Sequence, residues 1–178
     1  MFTLLDKMAV SVIQILQLML LYYNIAHSVA KIIPESLNSC AEGEPYVNIE
    51  AKSVASGQEF TGDITFPFEI DRSSEFTMNF RWWKDGEWEK NGKNGKGKVC
   101  FYLERFAASV WNDIKHAAQP KLEGDCTIPA GKYEFVNFVP DTSSFAIPLG
   151  GTGRGHAEFT IKKGDQTFCM VLIADIKN

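Results

Sequence analysis

The sequence predicts a mainly β fold, a sandwich or cup of strands with one amphipathic helix inserted between them. Three observations lead there. Several runs alternate apolar and polar side chains with the period of two that turns one face of a strand into a core. Turn-forming residues recur at short intervals between those runs. A helical period shows with strength in one stretch alone, around Phe106, Val110 and Ile114.

The N-terminal residues 1–30 stand apart from that pattern. Lys7 precedes an apolar run from Met8 to Leu21, and Ser28-Val29-Ala30 places small residues where a signal peptidase reads them. The run is broken by Ser11, Gln14 and Gln17 and is short for a span of about 20 residues. A cleaved secretory signal with its cut after Ala30 is expected, leaving 31–178 as a single secreted domain.

From Tyr46 to Val54, Val47, Ile49 and Ala51 share one face against Asn48, Glu50 and Lys52, a half-buried strand. After Ser56-Gly57, Phe60, Ile64, Phe66, Phe68 and Ile70 share a parity, with Pro67 on the polar side marking an edge or bulge. Asp71 to Ser74 turns the chain, and Phe76, Met78, Phe80 and Trp82 resume the period of two. Lys84 to Lys98 is rich in Gly, Asn and Lys and reads as an exposed hairpin region; its five lysines suit solvent or an anionic membrane surface.

An amphipathic helix follows over Glu104 to Ala118, with Phe106, Val110, Trp111 and Ile114 on its apolar face and Pro120 as its stop. Gly124 to Tyr133 forms a corner, in which Pro129 presets φ and Gly131 admits φ > 0, before a strand over Tyr133 to Val139. Phe145 to Pro148 is short and extended, and Leu149 to Gly155 is a glycine-rich loop. A closing hairpin sets Ala157, Phe159 and Ile161 on one face, turns at Lys163 to Gln166, and ends in a strand over Thr167 to Ile176.

Four cysteines, all after the signal, point to two disulfides in a secreted chain and permit three pairings. Position favours the nested one. Cys100 and Cys126 bracket the helix, and Cys40 with Cys169 would join the start of the domain to its last strand.

The net charge of −4, with no basic face, argues against nucleic-acid binding. No CxxC spacing occurs, and His116 and His156 lack neighbouring ligands, so neither metal nor cofactor is implied. Gly150 to Gly155 lacks the spacing of a phosphate loop and leads into a strand. The histidines are accompanied by no nucleophile elbow or paired carboxylates. The chain is therefore expected not to be an enzyme. Of the thirteen phenylalanines, Phe60, Phe66, Phe68, Phe76, Phe80 and Phe159 dominate the inward strand positions, where tight cores more often use Val, Ile and Leu. A concave site for a hydrophobic ligand would use them; a closed core is the alternative.

Cys126-Thr127-Ile128-Pro129-Ala130-Gly131-Lys132-Tyr133 resembles the Cys-Pro-x-x-x-Gly-x-Tyr element of the ganglioside-activator-like proteins. This group includes the insect chemosensory-B proteins and lies near the ML lipid-recognition domains. Val99-Cys100 before a helix, Asn137-Phe138 with Asp141, Pro148 before a glycine-rich rim and a closing hairpin with Cys169 follow in the same order. Thr127 stands where proline is usual, and the mammalian activator has more cysteines. The resemblance implies an immunoglobulin-like β-sandwich or cup holding a lipid, and in the insect group a part in chemical or pheromone sensing. It marks no cavity positions. Strand parity and helix face put the candidate lining at Phe66, Phe68, Phe76, Met78, Phe80, Trp82, Phe106, Val110, Trp111, Phe135 and Phe159. The partner classes that follow are a lipid or other hydrophobic small molecule, and a membrane surface or receptor. The competing expectation is a secreted interaction module with a closed core.

Overall fold

The computed structural model describes residues 31–40, 46–55, 57–141 and 151–177. Residues 1–30, where a signal is expected, Phe145 to Pro148, and Leu149 and Gly150 of the glycine-rich loop lie outside the described residues. The chain is mainly β. Its strands are β1 (Lys31–Ser39), β2 (Val47–Val54), β3 (Gly57–Phe66), β4 (Glu75–Lys84), β5 (Glu87–Trp88), β6 (Lys93–Lys98), β7 (Gly131–Phe138), β8 (Gly153–Lys163) and β9 (Gln166–Lys177). Two helices, α1 (Val99–Phe106) and α2 (Ala108–Ala117), lie between β6 and β7.

All pairings are antiparallel, in the order β5-β4-β8-β9-β1-β2-β3-β7, with β6 also on β4. The sheet is one open path with a weak joint. β1 is laddered to β9 along its length but, among the described residues, meets β2 at the single pair Asn38↔Asn48. Phe66 on β3 and Phe168 on β9 are three strand spacings apart, about 14 Å on a flat sheet. Their ring centroids are 5.3 Å apart. The sheet therefore folds over at the β1–β2 joint, and the half formed by β4, β8, β9 and β1 faces the half formed by β2, β3 and β7.

The structure departs from the expected pattern at four places, one of them a strand that the sequence pattern did not predict. The single helix is two, broken at Ala107, where φ is −135° and ψ 24°. Ala107 N–H still donates to Leu103 O and Trp111 N–H to Ala107 O, so the bend keeps its backbone bonds. It lets α1 lay Tyr102 on Phe76, centroids 4.5 Å apart, while α2 turns Trp111 inward. Neither proline nor glycine marks the break, so the periodicity ran through it.

The second correction is β6, in place of an exposed hairpin loop. Its glycines face inward, where a Cβ on Gly97 would stand 2.7 Å from the Tyr102 ring and one on Gly95 3.3 Å from Met78. Lys96 and Lys98 point out along what is an edge strand, the usual protection against edge-to-edge pairing. Third, Lys31 to Ser39 is a strand. Fourth, β3 stops at Phe66; Phe68 and Ile70 continue past Pro67 into an isolated bridge, Ile70↔Ile128.

The cysteines form Cys40–Cys169 and Cys100–Cys126, the nested pairing. Among the described residues no helix is long and apolar enough to cross a membrane.

Candidate functional site

The Gly124–Tyr133 corner fixes one end of the space between the halves. Ile70 and Ile128 exchange both backbone bonds, at 2.9 and 2.8 Å, and Tyr133 Oη donates to Pro129 O at 2.9 Å. Trp111 Nε1 donates to Asp125 O at 2.6 Å, so α2 is tied to the residue preceding Cys126 while α1 is tied to Cys126 itself through Cys100. Burial pushes the Tyr133 hydroxyl pKa up. Phe68, Ile70, Phe76, Val99, Trp111, Ala118, Leu122, Ile128, Tyr133, Phe135, Ile161 and Phe168 close this end as one cluster drawn from both halves and both helices. Phe168 is only 1% exposed.

Among the described residues, the buried cluster at the opposite end of the inner face comes from one half alone. Ile32, Phe80, Trp82, Ala157, Ala174 and Ile176 come from β1, β4, β8 and β9. Phe80 and Trp82 meet edge to face at 4.8 Å, and Gly151 lies against the Trp82 ring.

Between the two clusters a row of side chains runs straight across three strands. Met78 pairs in register with Phe159, and Phe159 with Met170. The neighbouring row towards the helices, Phe76, Ile161 and Phe168, is buried throughout. In the row on the other side, Phe80 and Ala157 are buried and Leu172 half-buried. The middle row is half-buried throughout. In a filled core the central row would be the driest. Across from it Val47, Ile49, Ile64, Phe66 and Phe138 are likewise half-buried and apolar. The interior thus carries a belt of apolar side chains that the protein's own packing leaves partly uncovered. Two of them are methionines, whose unbranched chains adapt to irregular shapes.

Of the eleven positions chosen by parity and helix face, Phe66, Met78 and Phe159 fall on this belt. Phe68, Phe76, Trp111 and Phe135 are buried in the helix-side cluster, and Phe80 and Trp82 in the far one. Phe106 and Val110 are half-buried; Phe106 packs on Tyr102 and Phe101, at 5.1 and 6.2 Å between centroids. Strand parity missed Met170 and Phe138, both on alternating runs whose inward faces it had otherwise located.

His116 is exposed on α2, and His156 lies on the outer face of β8. The ligand-type atoms that gather at Cys40, Glu158 and Cys169 include the two sulfurs of a disulfide, which are not thiolates. No family model and no curated protein matches the chain.

Proposed function

We propose that the protein is a secreted, non-enzymatic carrier that holds a lipid or other hydrophobic small molecule between the two halves of its sheet. In this reading the bent sheet is a cup of the immunoglobulin-like kind, with α1 and α2 as its closed base. The observation that carries it is the Met78–Phe159–Met170 row, less buried than the row on its helix side. An apolar, aromatic-rich concavity suits such a ligand. Two disulfides agree with an oxidising, extracellular setting. The motif order around Cys126 adds the likeness to ganglioside-activator-like and chemosensory proteins, and with it a role in chemical sensing.

The test is uptake of an apolar fluorescent probe by the purified protein, expected at one-to-one stoichiometry and displaceable by fatty acid. Met170→Trp should lower probe affinity at least tenfold with little loss of stability, because the added ring enters uncovered space. In a filled core the same change would overpack and cost about 1–3 kcal/mol. No uptake together with that loss would sink the reading.

A second reading, an interaction module, is favoured by Phe101 and Val136, which are 56% and 60% exposed. It predicts that Phe101→Ser and Val136→Ser abolish partner or receptor binding while leaving probe uptake intact. Deleting 91–97 would not separate the readings, because that segment contains most of β6.

A further inference from the structure

The outer face of β4 and β8 holds chemistry that the interior does not use. Arg81 and His156 are directly opposed in register, on the side of the sheet away from Phe80, Trp82 and Ala157. Trp83 follows on the same face and pairs with Trp88 of β5, the two indoles edge to face at 4.9 Å. Trp88 also packs on the His156 ring at 5.2 Å, and the Arg154 guanidinium lies 5.9 Å from the Trp88 ring centre.

Three features set Arg81 apart from a solvated surface arginine. Among the described residues it pairs with no carboxylate, whereas Arg154 is held by Glu35 at 2.8 Å and Lys84 by Glu89. Its Nε is shut off from solvent without a hydrogen-bond partner. Its stem is clamped where the chain crosses at Gly92; a Cβ there would stand 2.8 Å from Arg81 Cγ and 2.6 Å from Phe80 O. The guanidinium is thus fixed in place and lacks a counter-ion.

His156 completes the polar wall. Arg81 Nη2 stands 3.3 and 3.4 Å from its two ring nitrogens, a position off the lone-pair direction of both. Burial and the Arg81 charge hold its pKa below the ordinary histidine value, so at neutral pH the ring is uncharged and can donate from one nitrogen and accept at the other. Trp83 remains 41% exposed and offers an apolar plate beside these groups.

We infer that Arg81, His156 and the Trp83–Trp88 pair form a second ligand site, for a sugar ring that carries a carboxylate. Each part of such a ligand has its counterpart. The carboxylate meets a fixed, unneutralised guanidinium, the strongest neutral-pH acceptor–donor match available to a side chain. A ring hydroxyl meets His156. The apolar C–H face of the ring lies on the Trp83 indole, which stacks flat, amphipathic groups well. A bare inorganic anion would leave Trp83 unused, and an apolar ligand would leave Arg81 unused. The site lies on the opposite side of the sheet from the apolar belt and stands whether or not the interior takes up a lipid.

The test is calorimetric titration of the intact protein with glucuronic acid, glucose and sodium sulfate. Glucuronic acid should bind at least tenfold more tightly than glucose or sulfate. Arg81→Gln should abolish that preference over glucose, and Trp83→Ala should weaken glucuronic acid binding tenfold without changing the unfolding midpoint. Both substitutions lie outside the interior, so uptake of an apolar probe serves as the control for a correctly folded variant. Absence of glucuronic acid binding would overturn the inference. So would sulfate binding as tightly as glucuronic acid, or glucuronic acid binding unaltered by Trp83→Ala.

Discussion

The two disulfides hold different kinds of structure. Cys100–Cys126 is buried and local, closing a separation of 26 residues around the helices. Cys40–Cys169 closes 129 residues and lies on the outer side of β9, opposite in parity to Phe168 and Met170, with Cys40 exposed. It sits two residues past Asn38, which among the described residues makes the one ladder pair between β1 and β2. One bridge anchors a helical base to a corner; the other staples the joint at which the sheet folds over. The comparison teaches that the fold depends on two separable restraints, one on its helical base (the floor) and one on the angle between the two halves of its sheet (the walls).

Removing the joint staple should have the largest effect. On the loop-entropy model a bridge of that span contributes about 5 kcal/mol, against about 3.5 kcal/mol for the shorter one. The Cys40→Ala/Cys169→Ala protein should show the greater fall in denaturant midpoint. It should also lose probe uptake, because across the joint the described residues then offer the Asn38↔Asn48 ladder pair, the Val47 N–H bond to Ser39 Oγ and side-chain packing. A smaller fall than for the other double substitution would break the comparison, since strain or residual structure would then outweigh span.

Loss of the inner bridge should be smaller and, above all, local. In Cys100→Ala/Cys126→Ala protein, amide exchange should quicken over 101–117 while β8 and β9 stay protected. Trp111 Nε1 on Asp125 O and the Ile70↔Ile128 bridge keep the corner attached, so the helices should loosen and remain in place. Equal acceleration across helices and strands would show that floor and walls unfold as one unit.

How far these restraints could be read from the chain itself follows from the physics of each signal. Alternation exposed β2, β4, β7, β8 and β9, because each buries one face and leaves the other wet, as Phe76 and Thr77 do. It failed for β6, where the inward side chains are absent: Gly95 and Gly97 make room for Met78 and Tyr102, and glycine registers as turn. It failed for β1, whose Pro34 interrupts a short run adjoining residues 1–30. The nested cysteine pairing was favoured by position, since Cys100 and Cys126 bracket the helical segment, though the sequence left three pairings open. The half-buried row was not legible, because burial along a strand depends on what faces it across the fold. Parity named Met78 and Phe159 but ranked them with Phe76 and Phe80, which the protein buries fully. The Arg81–His156 face was not legible either, as it needs the register of β4 against β8.

A further restraint on the wall, weaker than either bridge, is electrostatic and depends on pH. Asp71, in the turn before β4, accepts from Ser73 N–H and Oγ and pairs with Lys163 at the β8–β9 turn, 2.7 Å away. Lys163 also pairs with Glu69 at 3.0 Å. The hydrogen bond from Lys163, then those from Ser73, hold the Asp71 carboxyl well below the usual carboxylate range; the same contacts hold Lys163 above the ordinary lysine value. A carboxyl depressed in the folded state stabilises it above the unfolded value, near 3.8, and loses that contribution as pH falls below it. Lys163 contributes fully below 10.5 and loses its share as pH rises past that value. Asp71→Asn should therefore lower the melting temperature slightly at pH 7, and the gap to the unsubstituted protein should close as the pH is brought from 5 towards 2. Because both groups are solvent-facing, the gap at pH 7 should also shrink in high salt. A gap unchanged at pH 2 would mean that Asp71 acts through the geometry of its turn and that this wall has no electrostatic restraint.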